Sequence, residues 1–230
     1  MPLALPFALL SIAITPAPAV CVDDAGAQAA MSLVSSHVVS DSALLRLYES
    51  GASWDGFLGA ARARRDMWVR HATEGVVPAD ALARAQALPG RWRLLVVAVD
   101  SCSDSVNTIP FLARLVAAVP QLEMRVISPQ AGRELMEARR TPDGRAATPT
   151  VVVLNEAGEE AGCWIERPAA LQAIAMEARA GGGTSDFAPR KAAWYQTDAG
   201  ASTINEVVAV LEKAAGGARG CESAASPARL

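Results

Sequence analysis

The run Trp92 to Val99 (WRLLVVAV) restricts the fold of this chain more than any other stretch. It is apolar and β-branched without alternation, as expected of a strand buried on both faces. Such a strand needs helices above and below its sheet, so the chain reads as α/β with a two- or three-layer architecture. The polar stretch Asp100-Ser101-Cys102-Ser103-Asp104-Ser105 follows, and then a helix from Val106 to Val119. Leu122 to Ile127 (LEMRVI) is the second strand and Ala131 to Arg140 the second helix. A polar loop from Thr141 to Thr148 leads into a third strand, Thr150 to Leu154 (TVVVL). The turn Asn155 to Gly158 then returns the chain as a fourth strand, Glu159 to Ile165, antiparallel to the third. Pro168 to Ala180 is a closing helix, which gives the order β-α-β-α-β-β-α.

This core, residues 91–180, carries extensions. Residues 41–90 show helical periodicity, with Ser53 placed to cap a helix at Trp54 and Pro78 opening a short helix closed by Pro89-Gly90. Residues 181–202 begin with Gly181-Gly182-Gly183 and read as a linker. Ile204, Val207, Val208 and Leu211 define a docking face on a helix over 203–215, and 216–230 reads as a disordered tail. Residues 1–30 read as a signal peptide or a disordered leader. Leu3 to Ile14 is an apolar stretch of signal-peptide length followed by Ala17-Pro18-Ala19, a small-x-small cleavage pattern. The first basic side chain is Arg46, so a mis-assigned start upstream of Met31 is the competing reading. The reading leans to export over a cytoplasmic protein.

The formal charge of −3 argues against a nucleic-acid partner, which calls for a basic patch. No apolar run reaches the roughly 18 residues that span a bilayer, so no integral membrane segment is expected. Two His and four scattered Cys leave little for a metal cage, and no cofactor is expected. The arginines at 62, 64 and 65 read as a solvated helix face.

Chemistry concentrates at Cys102, where a buried strand ends and a helix begins. Unpaired backbone N–H groups and the helix dipole favour a thiolate there. Asp104, two residues on, opposes it with an effect of similar size, on the order of 2 kcal/mol. Pro110 interrupts the helix, and Thr148-Pro149-Thr150 leads straight into the third strand. These features resemble the thioredoxin superfamily, in which the reactive Cys opens a Pro-kinked helix and faces a cis-proline before the third core strand. The likeness is greatest to bacterial thioredoxin-like proteins with a helical leader. Their motifs are matched here by Asp100 to Asp104, Arg140 to Pro149, and Gly162 to Pro168. The resemblance implies a thioredoxin-like fold with a central four-stranded mixed sheet, a nucleophilic Cys102, and a cis-Pro149 that presents the partner.

The departures bear on function. Ser105 stands where a thioredoxin has its resolving Cys, and Ser101 replaces the usual Trp. A C-x-x-S site attacks a disulfide but stalls as a mixed disulfide unless another thiol resolves it. The expected site is therefore Cys102, Ser105 and Pro149, supported by Ser103, Asp104 and Thr148. Cys163 is a candidate resolving thiol, although packing is the competing role for it. Cys221 is a candidate for an intermolecular or a tail disulfide, with no role at all as the competing reading. Two functions compete: monothiol exchange with protein or small-molecule thiols and disulfides, or a redox-inactive module holding an extended segment in the cis-Pro groove.

Overall fold

The computed structural model describes residues 39–181 and 186–221. The signal-peptide reading of residues 1–30 falls outside them, as does the tail reading beyond residue 221. Four helices come first: α1 (Asp41–Ser50), α2 (Trp54–Ala60), α3 (Arg65–Glu74) and α4 (Ala79–Gln86). The core follows as β1 (Trp92–Val97), α5 (Ser103–Val106), α6 (Ile109–Ala118), β2 (Leu122–Ile127), α7 (Arg133–Ala138), β3 (Thr150–Leu154), β4 (Glu160–Ile165) and α8 (Ala169–Ala180). Two further helices, α9 (Phe187–Asp198) and α10 (Ala201–Ala215), complete the described chain. No helix among the described residues is long and apolar enough to cross a membrane.

The sheet order is β2-β1-β3-β4, with β1 parallel to β2 and antiparallel to β3, and β4 antiparallel to β3. It is the four-stranded mixed sheet expected. Both faces are covered, which accounts for the unbroken apolar runs. Leu94, Val96, Val151 and Val153 face one core with Trp68 of α3, Leu112 and Leu115 of α6, and Ile204, Val207 and Leu211 of α10. Leu95, Val97, Val152 and Leu154 face the other, with Leu44 and Tyr48 of α1 and Leu135 of α7. At about 25 cal/mol per Å², each fully buried Leu or Val in these layers contributes about 1.5–3 kcal/mol.

Two expectations are corrected. The helix expected over 106–119 is split, with α5 ending at Val106 and α6 starting at Ile109. Pro110 is the cause: its ring displaces the Val106 carbonyl and it has no N–H to offer that oxygen. His71 of α3 meets the orphaned carbonyl instead, with Nδ1 2.8 Å from Val106 O. Residues 181–202, expected as a linker, contain α9. That helix presents no apolar stripe, and Tyr195 is its only fully buried side chain, so periodicity does not reveal it.

Candidate functional site

Cys102 is the N-cap of α5, and its half-buried Sγ accepts the Ser105 N–H at 3.4 Å. The cap geometry follows from sequence. Small polar residues follow the buried end of β1, and their backbone N–H groups have no intrahelical partner. The thiol donates to Thr148 O at 3.3 Å, and the Thr148–Pro149 peptide is cis. Pro149 O in turn accepts the Glu166 N–H at 2.7 Å, which links this loop to the end of β4. Cys102, Ser105, Thr148 and Pro149, singled out from sequence, therefore come together. Only the Ser105 backbone reaches the sulfur, because its hydroxyl is buried without a hydrogen-bond partner.

Cys163 lies elsewhere. Its sulfur is bonded to Cys221, with the Cα atoms 4.9 Å apart, so the candidate resolving thiol is occupied and the tail is tied to the sheet edge. Cys102 is the one free cysteine among the described residues.

Asp104 is 6% exposed and does not face solvent as a free repelling charge. Its Oδ1 accepts from Tyr195 Oη at 2.7 Å, and its Oδ2 from Lys191 Nζ at 3.0 Å and Arg167 Nη2 at 3.5 Å. Lys191 also donates to Ser103 Oγ at 2.7 Å, so one side chain holds both central residues of the C-x-x-S motif. Burial first, and the Asp104 carboxylate second, push the Tyr195 phenol upward, so it stays protonated and remains the donor. The cluster extends outward. Arg167 pairs with Glu166, Glu166 accepts from Arg145 at 2.8 Å, and Arg145 and Arg179 both meet Asp143. Four cations thus face three carboxylates along one connected network. The Phe187 ring covers its inner end, 5.4 Å from the Arg167 guanidinium and 5.9 Å from Lys191.

Sequence reading missed Lys191, Tyr195 and Arg167. The first two lie in α9 and carry no motif. Arg167 stands in the Gly162 to Pro168 stretch, where a charged pair at a strand end is the only signal. No group of three or more His, Cys, Asp or Glu able to hold a metal ion occurs among the described residues.

A family model described as thioredoxin matches residues 51–179. The chain belongs to the thioredoxin superfamily. Among solved structures, it is 25% identical to a protein of unknown function from Pseudomonas aeruginosa, with a TM-score of 0.58, covering 74% of this chain and 97% of that one. An HIV epitope-scaffold is 23% identical with the same TM-score of 0.58, covering 73% and 96% of the two chains, and it bears on the fold alone. No curated protein matches the chain. This thioredoxin-like domain therefore stands beside neighbours whose names assign no chemistry to it.

Proposed function

We propose that the protein performs monothiol thiol–disulfide exchange through Cys102. The observation that supports this reading is the setting of its sulfur. A half-buried thiol caps a helix, accepts a backbone N–H at 3.4 Å, and lies 3.3 Å from the carbonyl preceding Pro149. In the exchange, the Cys102 thiolate forms a bond to one sulfur of a partner disulfide. The partner S–S bond breaks, and its second sulfur leaves as a thiolate that takes a proton from water. A thiol from another molecule then attacks the mixed disulfide and releases Cys102 with its electron pair. No second free thiol among the described residues stands ready for that step. Pro149 and Thr148 would flank an extended partner segment, and Ser103 and Asp104 would be held by α9.

The test is incubation of the native protein with oxidised glutathione, with mass mapping of the adduct and Cys102→Ser as control. The expected result is an adduct on Cys102, absent from Cys102→Ser, that persists until a second thiol is added. A sulfur that reacts only after unfolding would refute exchange and leave the alternative, a groove beside Pro149 that binds an extended segment without chemistry.

A further inference from the structure

Two of the arginines expected on a solvated helix face, Arg62 and Arg64, lie in the α2–α3 turn and are fastened to the residues that precede Cys102. Asp100 Oδ2 accepts the backbone N–H groups of Arg62 at 2.7 Å and Ala63 at 2.9 Å. Trp68, wholly buried, donates its indole N–H to Asp100 O at 2.9 Å. Arg64 Nε donates to Ser101 O at 2.9 Å, so its guanidinium touches the residue adjoining the reactive cysteine. Arg64 holds left-handed backbone geometry, with φ 53° and ψ 22°. A non-glycine residue adopts that conformation only at a cost of about 1–3 kcal/mol. The four hydrogen bonds to Asp100 and Ser101 offset that cost and fix where the guanidinium points.

The charge on this turn is compensated only in part. Arg62 and Arg65 donate to the carbonyls of Leu58, Gly59 and Ala61, and Arg64 to that of Ser101. Among the described residues, none of the three is ion-paired with a carboxylate. Two carboxylates lie close to the three arginines: Asp100, which keeps its negative charge while accepting the N–H groups of Arg62 and Ala63, and the exposed Asp66 in the first turn of α3. On the other side of the motif, Lys191 and Arg167 are already matched by Asp104 and Glu166. Three arginines against two carboxylates leave the exposed rim beside Ser101 and Cys102 net positive, although the chain as a whole carries −3.

We propose that this turn is a specificity element that selects disulfides flanked by carboxylates, with Arg64 as its main determinant. The inference rests on the exchange reading above and names the substrate class for it. Exposed charges beside a reacting atom act chiefly on encounter and orientation, so the effect belongs in the second-order rate constant and weakens with salt. The bonds made and broken are those of the exchange step. Carboxylates on the attacked disulfide, and on the thiolate that leaves, face the arginines throughout.

The experiment measures rate constants for adduct formation at Cys102 with three probes: oxidised glutathione, an acidic peptide carrying a disulfide, and cystamine, which is cationic. Each rate is divided by that of the unfolded chain to remove intrinsic reactivity. At low ionic strength the native protein should favour the anionic probes over cystamine by about tenfold, and high salt should erase most of that preference. Arg64→Glu should cut it by about threefold or more and Arg64→Gln by less, whereas Arg46→Glu, on the far face of the sheet in α1, should leave it unchanged. Either order of glutathione and acidic peptide supports the class and tells which source supplies it. A preference that is absent in the native protein, independent of salt, or untouched in Arg64→Glu overturns the proposal while leaving exchange intact. A Cys102 inert to all three probes until unfolding overturns exchange itself, and the substrate class with it.

Discussion

Replacing Tyr195 by Phe isolates the contact by which α9 grips the C-x-x-S motif. The ring stays and only the hydroxyl is lost, so no large cavity opens. What disappears is a 2.7 Å hydrogen bond to Asp104 Oδ1, between a phenol on a 5%-exposed residue and a carboxylate on a 6%-exposed one. Lys191 and Arg167 both approach Oδ2, so Oδ1 is left buried without a donor. A hydrogen bond to a charged group contributes about 1.5–3 kcal/mol, and leaving its acceptor unsatisfied takes the loss towards the upper part of that range. We expect Tyr195→Phe to lower the unfolding free energy by about 2 kcal/mol. For a chain of this size that corresponds to a fall in Tm of about 4–8 °C. Urea unfolding with the disulfide intact is the assay, with the midpoint shifting at constant slope. A double-mutant cycle with Asp104→Asn should return a coupling of about 1 kcal/mol or more. A Tyr195→Phe loss within about 0.5 kcal/mol, or zero coupling to Asp104, would refute the reasoning, because the bond would then be exchanged for water at no cost.

Three further outcomes follow from the same structure. Cys163 and Cys221 are 58 residues apart, so reducing their bond, or replacing both by Ser, should cost about 2–4 kcal/mol. Thiol titration before and after reduction, together with thermal unfolding, checks it. Gly200 sits at φ +82° between α9 and α10, and a Cβ there would lie 2.1 Å from Phe111 Cγ. Gly200→Ala should therefore destabilise by more than about 3 kcal/mol or abolish folding, as read by circular dichroism. Burial raises the Glu206 carboxyl despite hydrogen bonds from Trp164 Nε1 at 2.7 Å and Ala169 N at 2.8 Å. Its protonated form is favoured in the folded state. Stability from this group is thus complete below the unfolded carboxylate value and is lost as pH rises through the folded one. Glu206→Gln should flatten that decline in urea midpoints measured from acid to neutral pH.

The parts legible in the sequence are those where one local rule decides. The central strands are unambiguous, since Leu94 to Val97 and Val151 to Leu154 are buried on both faces and show no alternation. Ser53 reads as a cap by residue type, and it accepts the Gly56 N–H. Cys102 and Pro149 are joined by the family pattern, which brings together residues that nothing in their local sequence connects. Long-range partners are not legible. The Cys163–Cys221 bond depends on how α10 returns along β4. The role of His71 depends on the gap that Pro110 opens in a different helix.

The electrostatics of the motif show why that limit matters. From sequence, Asp104 stands two residues from Cys102 and opposes a negative charge there. In the structure the same carboxylate is met by Lys191, Tyr195 and Arg167, so it is a paired, hydrogen-bonded group and not a free charge beside the sulfur. Two of those three partners belong to α9, outside the 51–179 stretch that matches the family. A buried carboxylate left without such partners would be strongly destabilising, and one that is paired gains little stability over an apolar substitute. What the arrangement supplies is position: Lys191 reaches both Ser103 and Asp104, and Arg167 adjoins Glu166, whose N–H holds Pro149 O. The helix that reads as a linker in the sequence is therefore the element that fixes the two central residues of the motif, while Arg167 and Glu166 tie Asp104 to the proline loop opposite.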